Sequence, residues 1–284
     1  MVRRLIVNAD DFGQTRGINR AILELHQAGV LTSASLMPNA NATDEAIRIA
    51  CGMQSLGVGC HIVLTEGASI LHPSQIPSLL NTSGHFIPSL RVFLRRLFVG
   101  KIPAAEIESE ATAQIRHLQS RGVHVDHIDT HRHIHMFPNV LRPILRAARA
   151  CGVHSVRRPF EPEWAVRAIA KSSFVRSAQV NLLRRLESAW RVVLAEEGFA
   201  TTDGTLGIAA TGALNSANLR GLLQSLPAGT WELVTHPGYI DPDLARLPTK
   251  LQASREVERQ ALHRVRECGN FDLTSFGALT QAEE

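Results

Sequence analysis

Leu5-Ile6-Val7-Asn8-Ala9-Asp10-Asp11-Phe12-Gly13 is a short apolar run ending in a polar loop. The residues after it, Ile18, Ala21, Ile22 and Leu25, recur at helical spacing. This is a strand, loop, helix unit. Ser33 to Met37 repeats the strand signal, Thr43 to Cys51 reads as helix, and Val58 to Leu64 is a third strand with His61 inside it. Strands alternating with helices predict a parallel sheet covered by helices.

The rhythm continues. A helix from Pro103 to Arg121 begins on proline and stops at Gly122. Pro138 to Cys151 reads as helix and Val153 to Arg157 as a candidate strand. Leu206 to Ala210 and Trp231 to Thr235 are further strands, the helix near Asn215 to Leu226 lies between them, and a final helix covers Arg255 to Cys268. Around 160–200 the pattern is less regular, with helical signals over Trp164 to Ala170 and Phe174 to Glu197. With no linker or repeat in view, residues 1–284 are expected to form one domain carrying a helical insertion at 160–200.

Between these units lies the most unusual run of the chain, His127-Ile128-Asp129-Thr130-His131-Arg132-His133-Ile134-His135. In an extended segment residues two apart share a face, so His127, Asp129, His131, His133 and His135 are all expected to face one cavity. Imidazole is the commonest metal ligand and titrates near neutral pH, so this clustering points to a catalytic metal site rather than a core strand. Asp10 and Asp11, His61, Asp129 with His131, and His236 before Pro237-Gly238 all fall where strands end. A (β/α) barrel of the TIM type, regular or irregular, assembles its active site there. An open doubly wound sheet would also do so, but no G-x-G-x-x-G follows the first strand.

Taken singly, each residue has a plain explanation: Asp10-Asp11 as a solvated turn or helix cap, His61 as a bonded core histidine, His236 as a turn residue. Together, a carboxylate and two imidazoles make three protein ligands with room for water. Zn fits such donors best, with Mn, Ni or iron as alternatives and Mg less natural beside two nitrogens. Adjacent in an extended backbone, Asp10 and Asp11 should point opposite ways, one towards metal and one towards a proton.

Composition narrows the classes. The chain has 284 residues and a net charge of +4, without a Lys/Arg block interleaved with aromatics, which argues against nucleic acid. Cys51, Cys60, Cys151 and Cys268 show no CxxC spacing, so neither a disulfide framework nor a thiolate zinc site is expected. No signal peptide or apolar run of about 18 residues is seen, and a cytoplasmic protein is expected. Leu90, Phe93, Leu94, Leu97 and Phe98 lie at helical spacing beside Arg91, Arg95 and Arg96, and 174–186 mixes apolar and arginine residues similarly. Such segments read as core-facing helices with a basic solvated face, or as a lid or peripheral contact at the inner face of a membrane.

The motifs Asn8 to Gly13, Gly59 to Thr65, His127 to His135 and His236 to Gly238 together resemble the YdjC-like carbohydrate deacetylases, from Val7 to about Tyr239, and within them the hopanoid-biosynthesis (HpnK-type) branch. The resemblance implies a β/α barrel hydrolase that removes acetyl from an N-acetylated sugar, free or linked to a lipid. By position it makes Asp11, His61 and His131 the metal ligands, Asp10 the general base and His236 the acid that protonates the departing amine. Asp129, His133 and His135 become orienting or sugar-contacting groups, and His127 a structural one. Barrels of this kind often pair, so a homodimer is compatible. The alternatives are a metal-dependent phosphoesterase acting on a sugar phosphate, and a metal- or sugar-binding protein without catalysis. Asp10 separates the last from the rest, because a pure binding site has no use for a carboxylate beside the ligand carboxylate.

Overall fold

The computed structural model describes residues 2–169 and 182–281. The strands are β1 Arg3–Phe12, β2 Ser33–Leu36, β3 Gly57–Ile62, β4 Val125–Thr130, β5 Gly204–Leu206, β6 Gly229–Thr235 and β7 Asp272–Leu273. They pair in parallel in the order β4-β3-β2-β1-β6-β5, and β7 pairs with Arg4 and Leu5 at the start of β1. The helices traced between strands in the sequence are present: α1 Arg16–Gln27, α2 Thr43–Gly52, α3 Leu90–Phe98, α4 Ala104–Ser120, α5 Pro138–Ala150 and, between β5 and β6, the helix Ser216–Gln224. The result is one α/β unit with a parallel half-barrel sheet.

Among the described residues the sheet is an irregular, open form of the expected barrel and does not close as a regular TIM barrel. The expected strand Val153 to Arg157 does not form. Its backbone instead makes single parallel bridges, Ile128 to Val156 and Ser155 to Ala200, across the gap between β4 and β5. Over 160–200 the described elements are α6 Glu163–Ala168 and the helix Glu187–Glu197; residues 174–181 of the basic apolar stretch 174–186 lie outside the described residues. No helix among the described residues is long and apolar enough to cross a membrane.

Alternation along the strands sorts the side chains. Val7, Ala9, Ala34, Leu36, Cys60, Ile62 and Ile128 join the apolar core. The interleaved Asn8, Asp10, Ser35, His61, His127, Asp129 and Glu232 are buried among one another on the opposite side of the sheet. An interior built from polar groups stays folded only if they bond each other, since a buried group left unbonded costs about 1–3 kcal/mol. Bonds from Asn8 Nδ2 to Asp10 and to Ser35 Oγ, 3.0 Å each, are part of that network.

Two departures from extended backbone shape the site. Asp11 has φ 65°, and the pairing of β1 with β2 shifts between Ala9 and Phe12, so Asp10 and Asp11 reach the same cavity instead of opposite faces. Aspartate is among the residues that tolerate this left-handed region. The second departure corrects the alternating-strand expectation. β4 ends at Thr130, and His131–Met136 is a 3-10 turn with Arg132 at φ 62° and His133 at φ 54°.

Candidate metal centre and its polar support

His61 (β3) and His131 meet Asp11 at the C-terminal ends of the strands. His61 Nε2 lies 3.8 Å and His131 Nδ1 3.4 Å from Asp11 Oδ1. One ligand atom from each of the three residues falls within 4.8 Å of the other two. The tautomer of His61 fits a cation. His61 Nδ1–H donates to Asp129 Oδ1 at 2.9 Å, which leaves the Nε2 lone pair facing Asp11. A carboxylate behind a ligating imidazole is the usual way such a ring is oriented. Burial alone would raise the Asp11 carboxyl, but Arg255 and then His131 outweigh it and hold it well below the usual range. For His131 burial works downward, and the carboxylates of Asp11 and Glu66 outweigh it, leaving the ring at about 9.

Asp10 stands beside this group and within the same 4.8 Å of His61 and Asp129. Both of its oxygens accept from Arg157, at 2.9 Å from Nη1 and 2.6 Å from Nη2. Arg157 is fully buried, donates through Nε to Glu232 at 2.8 Å, and forms an ion pair with Asp129. Burial raises the Asp10 carboxyl and Arg157 lowers it, with a net downward shift, so Asp10 is ionised. Three carboxylates share one guanidinium, and burial, offset by Arg157, pushes Glu232 up to about 7.

His236 follows β6 and is buried. Its Nε2 is 3.9 Å from Asp10 Oδ2, and its backbone N–H donates to Glu258 Oε2 at 2.6 Å. The remaining histidines separate. His133 is half-buried, and its Nδ1 has no hydrogen-bond partner among the described residues. Burial first, then Arg157, pushes it down to about 3, so its ring is neutral. His135 is fully buried: Nε2–H donates to the Arg157 carbonyl at 3.1 Å and Nδ1 accepts from Thr130 Oγ1 at 2.7 Å, leaving no ring nitrogen for a ligand. Asp129 is likewise sealed and committed to His61 and Arg157. His127 stacks on Phe276 with centroids 3.9 Å apart and donates to Asp126 at 2.6 Å. Its Nε2 faces Ser35 Oγ at 3.5 Å. Gly59 makes room for that ring: a Cβ there would lie 2.3 Å from His127 Nε2.

Reading the sequence alone missed the cations and carboxylates that hold the site. Arg157 left one signal, a charged residue at the end of the apolar run from Val153. Arg255 and Glu258 left none, because they sit one turn apart on a helix that looks ordinary, Gln252–Leu262. Glu66, at φ 70°, lies on the loop after β3, where it pairs with Arg132 and places Oε2 3.7 Å from His131 Nε2.

Comparison with known proteins places the chain. A carbohydrate deacetylase from Thermoanaerobacter pseudethanolicus is 28% identical over 92% of this chain and 91% of its own. A chitooligosaccharide deacetylase from Salmonella typhimurium is 35% identical over 54% of this chain and 58% of its own, so the chain spans somewhat over half of that relative. An Enterococcus faecalis crystal structure named for cellobiose-phosphate cleavage superposes with a TM-score of 0.76 at 26% identity, covering 98% of this chain and 99% of that one. The model of the family described as YdjC-like protein matches residues 4–268, and the chain belongs to that family.

Proposed function

We propose that the protein is a metal-dependent hydrolase that removes the acetyl group from an N-acetylated amino sugar of the N-acetylglucosamine type. The observation that carries the reading is the convergence of Asp11, His61 and His131 with a separate ionised carboxylate, Asp10, next to them. The donor set of two imidazoles and one carboxylate fits zinc, with Mn, Ni or Mg as alternatives. A divalent ion held there supplies a Lewis acid for the acetamide carbonyl and lowers the pKa of water.

The chain's own residues do the rest. Asp10 receives the proton of the attacking water, and Arg157, gripping both oxygens, fixes where that carboxylate points. Its grip also weakens Asp10 as a base in isolation, so the proton must come from water already made acidic. His236 delivers a proton to the sugar nitrogen, since an amine anion is a poor leaving group, and His133 is the imidazole placed to meet the sugar. Asp129 and His135, which the resemblance offered as orienting or sugar-contacting groups, act here as orienting groups, because Asp129 is taken up by His61 and Arg157 and both ring nitrogens of His135 are bonded.

The finer reading is a lipid-linked substrate such as a hopanoid glycoside. It is supported by exposed Val92, Phe98 and Val99 on and after α3, flanked by exposed Arg91 and Arg95. Phe98 packs edge-on to Phe137, which directly follows the turn carrying His131. A basic, apolar surface of this kind suits a peripheral membrane contact.

Acetate and primary amine measured together on Zn2+-loaded protein test the assignment, with N-acetylglucosamine oligomers and lipid-linked N-acetylglucosaminides as substrates. Equal amounts of both products are expected. Release of phosphate from a sugar phosphate, with no acetate, would favour the phosphoesterase reading instead.

A further inference from the structure

We infer that Arg255 is a positioning residue of the metal centre, which holds Asp11 as a one-oxygen ligand. The inference rests on the proposed ligand set and concerns a helix outside the strand ends.

Arg255 is 1% exposed and its Nη2 donates to Asp11 Oδ2 at 2.5 Å. The same nitrogen reaches Gln14 Oε1 at 3.0 Å. With Oδ2 occupied, Oδ1 is the Asp11 oxygen left to face both His61 Nε2 and His131 Nδ1. A carboxylate free at both oxygens can rotate and chelate a cation through both. Bound to a guanidinium, it presents one oxygen in one direction. The backbone bears on this, because Asp11 sits in a left-handed conformation at a register shift in the pairing of β1 with β2.

The helix is built to deliver that guanidinium. Gly238 N–H donates to the Arg255 carbonyl at 3.2 Å, and a Cβ on Gly238 would lie 3.1 Å from Arg255 Cδ. The turn His236-Pro237-Gly238 therefore directs His236 and also makes room for Arg255. One turn further, Glu258 accepts from the His236 backbone, so one helix face reaches both the ligand and the proposed acid.

The test reads metal binding, not turnover. Zn2+ affinity is measured by competition with a chromophoric chelator, and coordination by the visible bands of Co2+-loaded protein. Arg255→Met is expected to weaken Zn2+ binding roughly 10- to 100-fold, the usual effect of losing a group that orients a ligand. It should also alter the Co2+ bands as Asp11 gains a second free oxygen. Arg255→Lys, which keeps a donor but not the planar fork, should recover part of the affinity. Glu258→Gln disturbs the same helix without touching Asp11 and should bind Zn2+ within about twofold of wild type; circular dichroism of all three variants reports folding. Wild-type affinity and unchanged Co2+ bands in Arg255→Met would overturn the inference, as would an equal loss in Glu258→Gln. Failure of the wild type to bind any divalent ion would instead overturn the ligand set itself.

Discussion

His61 and His131 are each backed by a carboxylate that is held in turn by an arginine, yet the two arrangements are built from opposite materials. The inner one, His61, Asp129 and Arg157, stands on strands or bridged backbone and is sealed from solvent. The outer one, His131, Glu66 and Arg132, stands on loops, is partly exposed, and has left-handed backbone at Glu66 and Arg132. In the inner set the imidazole–carboxylate distance is 2.9 Å; in the outer set it is 3.7 Å, beyond hydrogen-bond range. The difference teaches which half of the proposed centre is built on rigid elements and which on loops, and rigid elements hold a site's geometry more closely than loops do.

The contrast can be broken by substitution. The largest effect is expected on the inner side, where Asp10→Asn should cut turnover by about 10²–10⁴-fold with metal content unchanged by elemental analysis. Survival of activity within a few-fold would remove Asp10 as the base. Arg157→Met strands three buried carboxylates and should cost about 3–5 kcal/mol in urea unfolding. A loss under 1 kcal/mol would mean that the inner network is not the rigid support described.

Metal affinity separates the two sides directly. Asp129→Asn should weaken Zn2+ binding by roughly 10- to 100-fold, as expected when a ligating imidazole loses its carboxylate. Glu66→Gln, across a longer and more solvated contact, should cost under about tenfold. Equal losses would show that the loop side is as firmly built as the strand side.

The smallest effect is on pH dependence. In metal-free protein, neighbouring carboxylates raise His131 from its ordinary 6.5 to about 9. A raised imidazole contributes stability that is complete below about pH 6.5 and lost as pH climbs through about 9. The melting temperature of the metal-free protein should therefore decline on His131's account over that interval. In Glu66→Gln the decline should be complete at lower pH. Identical profiles would remove Glu66 as a partner of His131.

Most of the strands, their parallel pairing and the placement of Asp10, Asp11, His61, His131 and His236 at strand ends were legible because hydrophobic period and chain punctuation are local properties; Val153 to Arg157 and the two-residue β7 were the exceptions. The direction of each side chain was less so. Alternation assigned Asp10 and Asp11 to opposite faces and His131, His133 and His135 to one face, and both readings failed where φ turned positive, which no spacing rule encodes. Arg255 and Glu258 stayed hidden, and the partners of Arg157 with them, for a different reason. Each acts across more than 20 residues of sequence, and a buried ion pair has no local signature.

The ring of His127 lying against Gly59 has a consequence for how this sequence can change over time. Position 59 can accept no side chain while His127 keeps its place, and His127 is pinned by Asp126 and Phe276. Displacing that ring would disturb Ser35, which also bonds Asn8, itself bonded to Asp10. A Gly59→Ala change, mild by any substitution table, would thus be felt at Asp10, three contacts away. Sterically, a lineage that loses the histidine is the one free to lose the glycine.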